Sequence, residues 1–324
     1  MSEQATDAAL AAAAETAINQ CLDLQSDESC LIVTDDKRVR IGEALYEAAR
    51  NVTADASIMR YPPLSQHGEE PAAPVAAALR EADVFLAPTT KSLSHTRARS
   101  EANEAGARGA TLPGITEAVF TTGLDADYEN IKETSYDTIA KVENATTVRV
   151  TSPQGTDITF KFGDRKWLAD TGIVHKPGHF SNLPAGEVFI SPVTANGTFV
   201  VDGTMMPYGL LDEGQELSFT VEDGYVTEVS DDDIRGQIET AAKEVGKDAY
   251  NLAELGIGTN VAVDELVGSV LLDEKAAGTV HIAIGDDAGI GGDVSAPLHL
   301  DGILREPTVY ADGVEIELPQ PRRD

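Results

Sequence analysis

The first third of the chain alternates between helical and strand patterns, and this alternation narrows the possible folds more than any other feature. Apolar residues recur at helical spacing in three stretches, and short apolar runs rich in β-branched residues separate them. In chain order the predicted elements are a helix over residues 8–24, a strand over 30–34, a helix over 40–51, a strand over 56–60, a helix over 71–82 and a strand over 84–88. Such alternation predicts a parallel sheet with helices on both faces, whose ligands bind beyond the carboxyl ends of the strands.

The rest of the chain has a different character, because β-rich segments separated by turn signals replace the alternation. A helix predicted over residues 128–143 leads into this region, and another is predicted over residues 232–245. The predicted strands cover residues 148–150, 157–162, 187–191, 198–202, 217–222, 225–230, 279–284, 298–304 and 314–318. The predicted fold class is therefore α/β, with an N-terminal parallel-sheet α/β domain over residues 1–125 and a β-rich α+β domain over residues 126–324.

The chain is strongly acidic: its 324 residues include 55 Asp and Glu against 24 Lys and Arg, a net charge of −31. A surface of this charge repels phosphate backbones and anionic lipid headgroups, which excludes nucleic acid and membranes as partners. The acidity is spread along the whole chain, and high salt screens the self-repulsion that it causes. We interpret it as the solvated surface of a halophilic protein.

Two further features predict a cytoplasmic protein. The first residues have no basic region followed by an apolar segment of the kind that directs secretion. No run reaches the roughly 18 apolar residues that a membrane span needs.

Cys21 and Cys30 are the only cysteines, too few for a disulfide scaffold. One bridge and two buried thiols both agree with the sequence, and a reducing cytoplasm favours thiols.

The second predicted domain contains a histidine and an aspartate that are placed to share a metal ion. His299 and Asp301 lie two residues apart in a strand-like run, so both side chains point to the same face. An imidazole and a carboxylate that converge in this way can form half of a divalent metal site. His281 opens another apolar run, where a core histidine is the alternative to a metal ligand.

Two glutamates of the same domain are flanked by apolar residues. Glu187 precedes one apolar run, and Glu254 lies inside another. A buried carboxylate needs a metal ion, a shifted pKa or a cationic partner. A buried salt bridge is the structural alternative, and the scarcity of arginine nearby in the sequence favours a metal ion. The glycine-rich segment 289–293 has no phosphate-binding pattern and is predicted to be a tight loop near the metal cleft.

Taken together, several motifs resemble the aminopeptidase T family of leucyl aminopeptidases, which are metallopeptidases. The motifs occur in that family's order between residues 84 and 313, so the resemblance covers most of the chain. The matching segments are 94–99, 106–114, 182–189, 254–260, 273–275, 278–285 and 299–301. We expect a divergent member of this family.

This resemblance implies a site for two metal ions. The family's ligands are two glutamates, two histidines and an aspartate, and they match Glu187, Glu254, His281, His299 and Asp301. Two Zn²⁺ or Co²⁺ ions bound there would activate the water that releases N-terminal amino acids from small peptides. Glu254 would bridge the ions or act as general base. The resemblance also implies a homodimer.

One departure from the family pattern supports a different enzyme. The peptidases carry a tyrosine shortly after the first histidine, placed to stabilise the tetrahedral oxyanion. Segment 285–289 of this chain contains no tyrosine, and Tyr310 is the next one. The alternative is an iron(II) ring-cleaving dioxygenase of the 2,5-dihydroxypyridine type, which the chain resembles more distantly. That resemblance implies a single Fe²⁺ held by His281, His299 and Asp301, and a small-molecule substrate.

His95 has a role in this alternative. It follows the third predicted strand, and the dioxygenase resemblance implies a catalytic acid–base residue facing the ring at this position. Ordering of the loop is the structural alternative for His95. A third functional hypothesis is a metal-binding relative without catalysis, which the missing tyrosine also supports.

Overall fold

The computed structural model describes residues 5–322, and its contacts divide the chain into two units. The N-terminal unit comprises Met1–Lys132 and Asp170–Ala185, and the C-terminal unit comprises Glu133–Ala169 and Gly186–Asp324. The division into domains over residues 1–125 and 126–324 stays a prediction. The contact-defined units differ from it because the segment Asp170–Ala185 returns to the N-terminal unit.

Helices and strands account for most of the described chain. The helices are α1 (Asp7–Glu15), α2 (Val39–Arg50), α3 (Ala73–Glu81), α4 (Arg97–Ala105), α5 (Glu117–Gly123), α6 (Tyr128–Val142), α7 (Asp232–Val245) and α8 (Val270–Asp273). The strands are β1 (Cys30–Asp35), β2 (Ala56–Tyr61), β3 (Val84–Thr89), β4 (Arg108–Pro113), β5 (Thr147–Thr151), β6 (Asp157–Lys161), β7 (Leu168–Asp170), β8 (Phe180–Asn182), β9 (Glu187–Ile190), β10 (Thr194–Val201), β11 (Thr204–Met205), β12 (Gly209–Leu210), β13 (Leu217–Glu222), β14 (Tyr225–Val229), β15 (Leu252–Gly258), β16 (Val280–Gly285), β17 (His299–Leu304), β18 (Thr308–Ala311) and β19 (Val314–Ile316).

The N-terminal unit contains a parallel sheet of five strands in the order β2-β1-β3-β4-β8. Every residue of β1 and β3 is buried, because helices cover both faces. On one face, Leu79 of α3 and Ala98 of α4 pack in a cluster with Phe85. On the other face α2 lies so close that a Cβ atom on Gly42 would be 2.8 Å from Thr34. The predicted parallel sheet with helices on both faces is confirmed.

The two cysteines belong to this unit. Cys21 and Cys30 are both buried and free, which confirms the thiol interpretation. Burial raises the pKa of the Cys30 thiol to about 12, so the group is a neutral part of the core.

The C-terminal unit is built from two largely antiparallel seven-stranded sheets. One has the order β14-β13-β10-β6-β5-β18-β19, and the other has the order β12-β11-β17-β16-β15-β9-β7. Both sheets contribute to one apolar core, in which Phe199 and Phe219 stack with ring centroids 4.6 Å apart. Together with the parallel sheet of the N-terminal unit, this β-rich unit confirms the predicted fold class. Within residues 5–322 no helix has the length and apolar character needed to cross a membrane.

Candidate metal centre

Four neighbouring strands of the second sheet carry all five predicted metal ligands. These strands lie in the order β17-β16-β15-β9. The ligands are Glu187 at the start of β9, Glu254 in β15, His281 in β16, and His299 and Asp301 in β17. The antiparallel register brings them together, because Glu254 and Asp301 both pair with Ala283 while His281 pairs with Gly256.

A glycine in the buried strand β15 makes room for one of the imidazoles. A Cβ atom on Gly256 would lie 2.0 Å from Nε2 of His281. The ring of His281 therefore lies directly over the backbone of β15, where only glycine leaves enough space. Glu254 lies two residues before Gly256 in the same strand, and Gly256 pairs with His281. The side chains of Glu254 and His281 are therefore on one face of the sheet.

The ligand atoms form two clusters that share one glutamate. The first cluster consists of Glu187, Glu254 and His281, and the second consists of Glu254, His299 and Asp301. Within each cluster the ligand atoms all lie within 4.8 Å of one another. Nε2 of His281 lies 3.3 Å from Oε1 of Glu254, and Nε2 of His299 lies 3.2 Å from Oε2. Each oxygen of Glu254 thus faces a different imidazole. The first cluster is buried, whereas the side chain of His299 is 33% exposed, so the second cluster is open to solvent.

The charges of the centre shift the pKa values of its members. Burial raises the pKa of Glu254, but the hydrogen bonds and charges of His281 and His299 outweigh burial and bring it down to about 2. Burial lowers the pKa of His281, yet its hydrogen bond to Glu254 and the nearby charge of Glu187 raise it to about 9. The pKa of His299 is also raised against its burial, by Asp301 and Glu254. Without a metal ion, protons on the two imidazoles balance the carboxylates.

This donor set fits a divalent metal ion. Carboxylate oxygens and imidazole nitrogens are the ligands that Zn²⁺, Co²⁺ and Fe²⁺ accept in proteins. A bound ion would supply the positive charge that protons supply otherwise, and would leave both histidines as neutral ligands. Nδ1 of His299 lies 2.7 Å from the carbonyl oxygen of Asp286, which places a proton on Nδ1 and leaves the Nε2 lone pair for a metal ion. Nδ1 of His281 is buried and has no hydrogen-bond partner among residues 5–322.

A buried lysine adjoins the first cluster. Nζ of Lys275 lies 3.2 Å from Oε1 of Glu187 and also contacts Oε1 of Glu274. Lys275 is only 1% exposed, so its charge compensates that of Glu187. Sequence reasoning quoted segment 273–275 as a motif but gave this lysine no role. The available signal is a charged triplet followed immediately by small, apolar residues.

His95 lies in the N-terminal unit, on the loop between β3 and α4. Its side chain is exposed, whereas Ser94 and Thr96 on either side are buried. Oγ of Ser94 lies 2.7 Å from Oγ1 of Thr111 and 3.0 Å from Oδ1 of Asn182, and the Thr96 hydroxyl caps α4. The backbone is therefore held on both sides of His95. Its imidazole makes no hydrogen bond within the described part of the chain, and its acid–base role stays a prediction.

Two solved structures share this fold over nearly their whole length. AmpT from Thermus thermophilus has a TM-score of 0.70 and 19% identity, and the match covers 96% of this chain and 98% of that one. A 2,5-dihydroxypyridine dioxygenase from Pseudomonas putida KT2440 has a TM-score of 0.79 and 19% identity, covering 98% of this chain and 97% of that one. The protein therefore has the fold that AmpT and this dioxygenase share, which is the fold expected from the resemblance to aminopeptidase T.

A sequence match is more specific than this shared fold. The family described as NicX: 2,5-dihydroxypyridine 5,6-dioxygenase matches residues 9–317, and the chain belongs to this family of enzymes. No individually curated protein matches the chain significantly. The family match and the dioxygenase structure support the dioxygenase alternative better than the aminopeptidase that sequence analysis put first.

Proposed function

We propose that this protein is an Fe²⁺-dependent dioxygenase that opens the ring of a small dihydroxylated N-heteroaromatic compound such as 2,5-dihydroxypyridine. One O₂ is consumed for each ring opened. A carbon–carbon bond of the ring breaks and both oxygen atoms enter the product, so the reaction needs no further oxidant or reductant.

The observation that carries this proposal is the presence of His281, His299 and Asp301 on two adjacent strands in a chain of the NicX family. Two histidines and one carboxylate are the donor set of non-haem Fe(II) oxygenases, which keep positions open for substrate and O₂. The exposed part of His299 leaves one side of the centre accessible to a small molecule. When bound, Fe²⁺ supplies the redox chemistry through which O₂ reacts with an electron-rich ring.

Two residues are assigned to proton transfer. The buried carboxylate of Glu254 lies 3.3 Å from Nε2 of His281 and 3.2 Å from Nε2 of His299, where it can accept the proton of a ring hydroxyl. His95 is the second acid–base residue in this proposal, as the resemblance to the dioxygenase implies. The residues on either side of it are buried while its ring is exposed, so the imidazole is accessible to a small molecule.

The proposal is tested with metal-free protein that is reloaded with Fe²⁺ under anaerobic conditions, in a buffer of high KCl concentration. After 2,5-dihydroxypyridine and O₂ are added, we expect loss of the ring's ultraviolet absorbance and uptake of one O₂ per ring. The protein reloaded with Zn²⁺ is the matched control and should leave the ring intact. Absence of O₂ uptake from the Fe²⁺-loaded protein, with this ring and its dihydroxylated analogues, would overturn the proposal.

A metal-dependent aminopeptidase is the second candidate. The specific observation in its favour is that the two clusters share Glu254, as expected for a carboxylate that bridges two metal ions. In this case Glu187 would join the ligands, with Lys275 on its other oxygen. Release of N-terminal amino acids from dipeptides by the Zn²⁺-loaded or Co²⁺-loaded protein would support this candidate over the dioxygenase.

A further inference from the structure

We infer that Asp287 is a positioning residue that orients His299 for metal binding. This inference rests on the proposed role of His299 as a metal ligand. It gives a function to segment 285–289, where the tyrosine of the peptidases is missing. Neither Asp287 nor its neighbour Asp286 is among the predicted metal ligands. Both residues therefore act on the metal centre through their hydrogen bonds to other residues.

Asp287 is buried at the base of the loop that connects β16 to β17. Its Oδ2 accepts hydrogen bonds from the Ser191 hydroxyl at 2.8 Å and from the Asn251 side-chain amide at 3.1 Å. Its Oδ1 accepts a hydrogen bond from the Val294 N–H at 2.7 Å. Ser191 follows β9 and Asn251 precedes β15, so one carboxylate ties the loop to two strands of the metal centre. The guanidinium of Arg165, 3.6 Å away, adds an opposite charge.

The backbone of the loop wraps around this carboxylate. The Asp287 N–H donates to the Val294 carbonyl at 3.0 Å, and the Asp287 carbonyl accepts from the Gly292 N–H at 2.9 Å. A Cβ atom on Gly292 would lie 1.9 Å from Cγ of Asp287, so only glycine allows this close approach. The glycine-rich segment 289–293 therefore packs closely around the buried side chain of Asp287.

Asp286 connects this arrangement to His299. Its N–H donates to the Leu298 carbonyl at 2.8 Å, and its Oδ1 accepts from the Ala296 N–H at 3.1 Å. Its carbonyl oxygen lies 2.7 Å from Nδ1 of His299. The hydrogen bonds of the Asp287 side chain hold residue 287 in place. The peptide group between Asp286 and Asp287 therefore cannot rotate to turn the Asp286 carbonyl away from His299. Nδ1 therefore keeps its proton, and Nε2 of His299 keeps the lone pair that a metal ion needs.

The test is the affinity of the full-length protein for Co²⁺, measured by titration of the metal-free form. Asp287→Asn is expected to weaken Co²⁺ binding about 10- to 100-fold, as for other residues that orient a metal ligand, and to change the visible Co²⁺ spectrum. Asp293→Asn is the matched control, because Asp293 is an exposed carboxylate of the same loop that also contacts Arg165. The control should bind Co²⁺ with wild-type affinity. Equal affinities of Asp287→Asn and the control would overturn the inference.

A double-mutant cycle separates positioning from a general loss of structure. If Asp287 acts through His299, Asp287→Asn in a His299→Ala background should cause no further loss of affinity. Additive losses would contradict the inference. If Asp287→Asn does not fold, Ser191→Ala removes a single hydrogen bond to Asp287, and non-additivity with His299→Ala is tested there instead. Failure of the wild-type protein to bind Co²⁺ would instead overturn the metal centre on which the proposed function depends.

Discussion

Each unit of the protein buries a group of charged side chains, and the two groups are built differently. In the N-terminal unit the guanidinium of Arg108 bonds both carboxylate oxygens of Glu28, at 2.5 and 2.7 Å, and the carbonyls of Leu22 and Asp23. In the C-terminal unit Lys275 compensates Glu187, whereas Glu254 and Asp301 face two imidazoles that balance them only when both imidazoles are protonated. A buried group whose charges already balance indicates a structural role, whereas a group that needs added protons or a metal ion to balance its charges indicates a binding site.

His299→Ala should have the largest effect on the C-terminal group. This substitution removes the exposed ligand of the second cluster, so we expect loss of at least one metal ion, an affinity more than about 100-fold weaker and no detectable ring opening. Metal content after dialysis, measured by mass spectrometry, checks this prediction. His67→Ala is the control, because His67 is an exposed histidine of the N-terminal unit. Full metal occupancy in His299→Ala would refute the assignment of this ligand.

Glu254→Gln should separate chemistry from metal binding. Because the substitution removes a proton acceptor but keeps the size of the side chain, we expect turnover to fall about 10²- to 10⁴-fold while most of the metal ion remains. Steady-state O₂ uptake and metal analysis of the same sample measure both effects. Glu228→Gln, on the exposed part of β14, is the matched control. Unchanged turnover would remove Glu254 from the mechanism.

Much of the fold could be predicted from local patterns, because those elements are dense in β-branched or periodic apolar residues. Strands β1 and β3 and helices α2 and α7 appear close to their predicted bounds. Strand β15 was not predicted, since its sequence Leu252–Gly258 contains two glycines and a glutamate. Its extended form depends on pairing with β9 and β16, a long-range property that no local pattern reveals.

The five candidate ligands were named from their motifs, but their convergence depends on the register of four strands. Glu187 and Asp301 are more than 100 residues apart in sequence, and only the pairing of β17, β16, β15 and β9 brings their strands together. Lys275 and Asp287 could not be given roles for a similar reason. The contacts of Asp287 with Ser191 and Asn251 span 96 and 36 positions, so no spacing rule predicts them.

Arg108→Met should affect stability without affecting metal binding. It leaves Glu28 half-paired beside a buried apolar side chain, so we expect the free energy of unfolding to fall by about 3 kcal/mol. Arg149→Met breaks the exposed ion pair with Asp157 and should have a much smaller effect, because solvent screens that pair. Urea denaturation at constant KCl concentration measures both variants. Weaker metal binding by Arg108→Met would show that the two buried groups are not independent.

The pH dependence of stability should show a smaller effect of the same pair. The hydrogen bond from Arg108 lowers the pKa of Glu28 below its ordinary value of 4.5. A carboxyl group with a lowered pKa in the folded state stabilises the fold above its unfolded pKa, and this contribution is lost as the pH falls through the folded pKa. The stability difference between wild type and Glu28→Gln should therefore shrink between about pH 6 and about pH 3. A difference that does not change with pH would contradict the ion pair as the cause.

The central claim is that the group of histidines and carboxylates in the C-terminal unit binds a single iron ion. Anaerobic titration of the metal-free protein with Fe²⁺, followed by metal analysis after gel filtration, tests it most directly. The account predicts one tightly bound Fe²⁺ per chain and its loss in His299→Ala. Two tightly bound ions per chain, with Glu187 needed for the second, would contradict it and support the two-metal aminopeptidase.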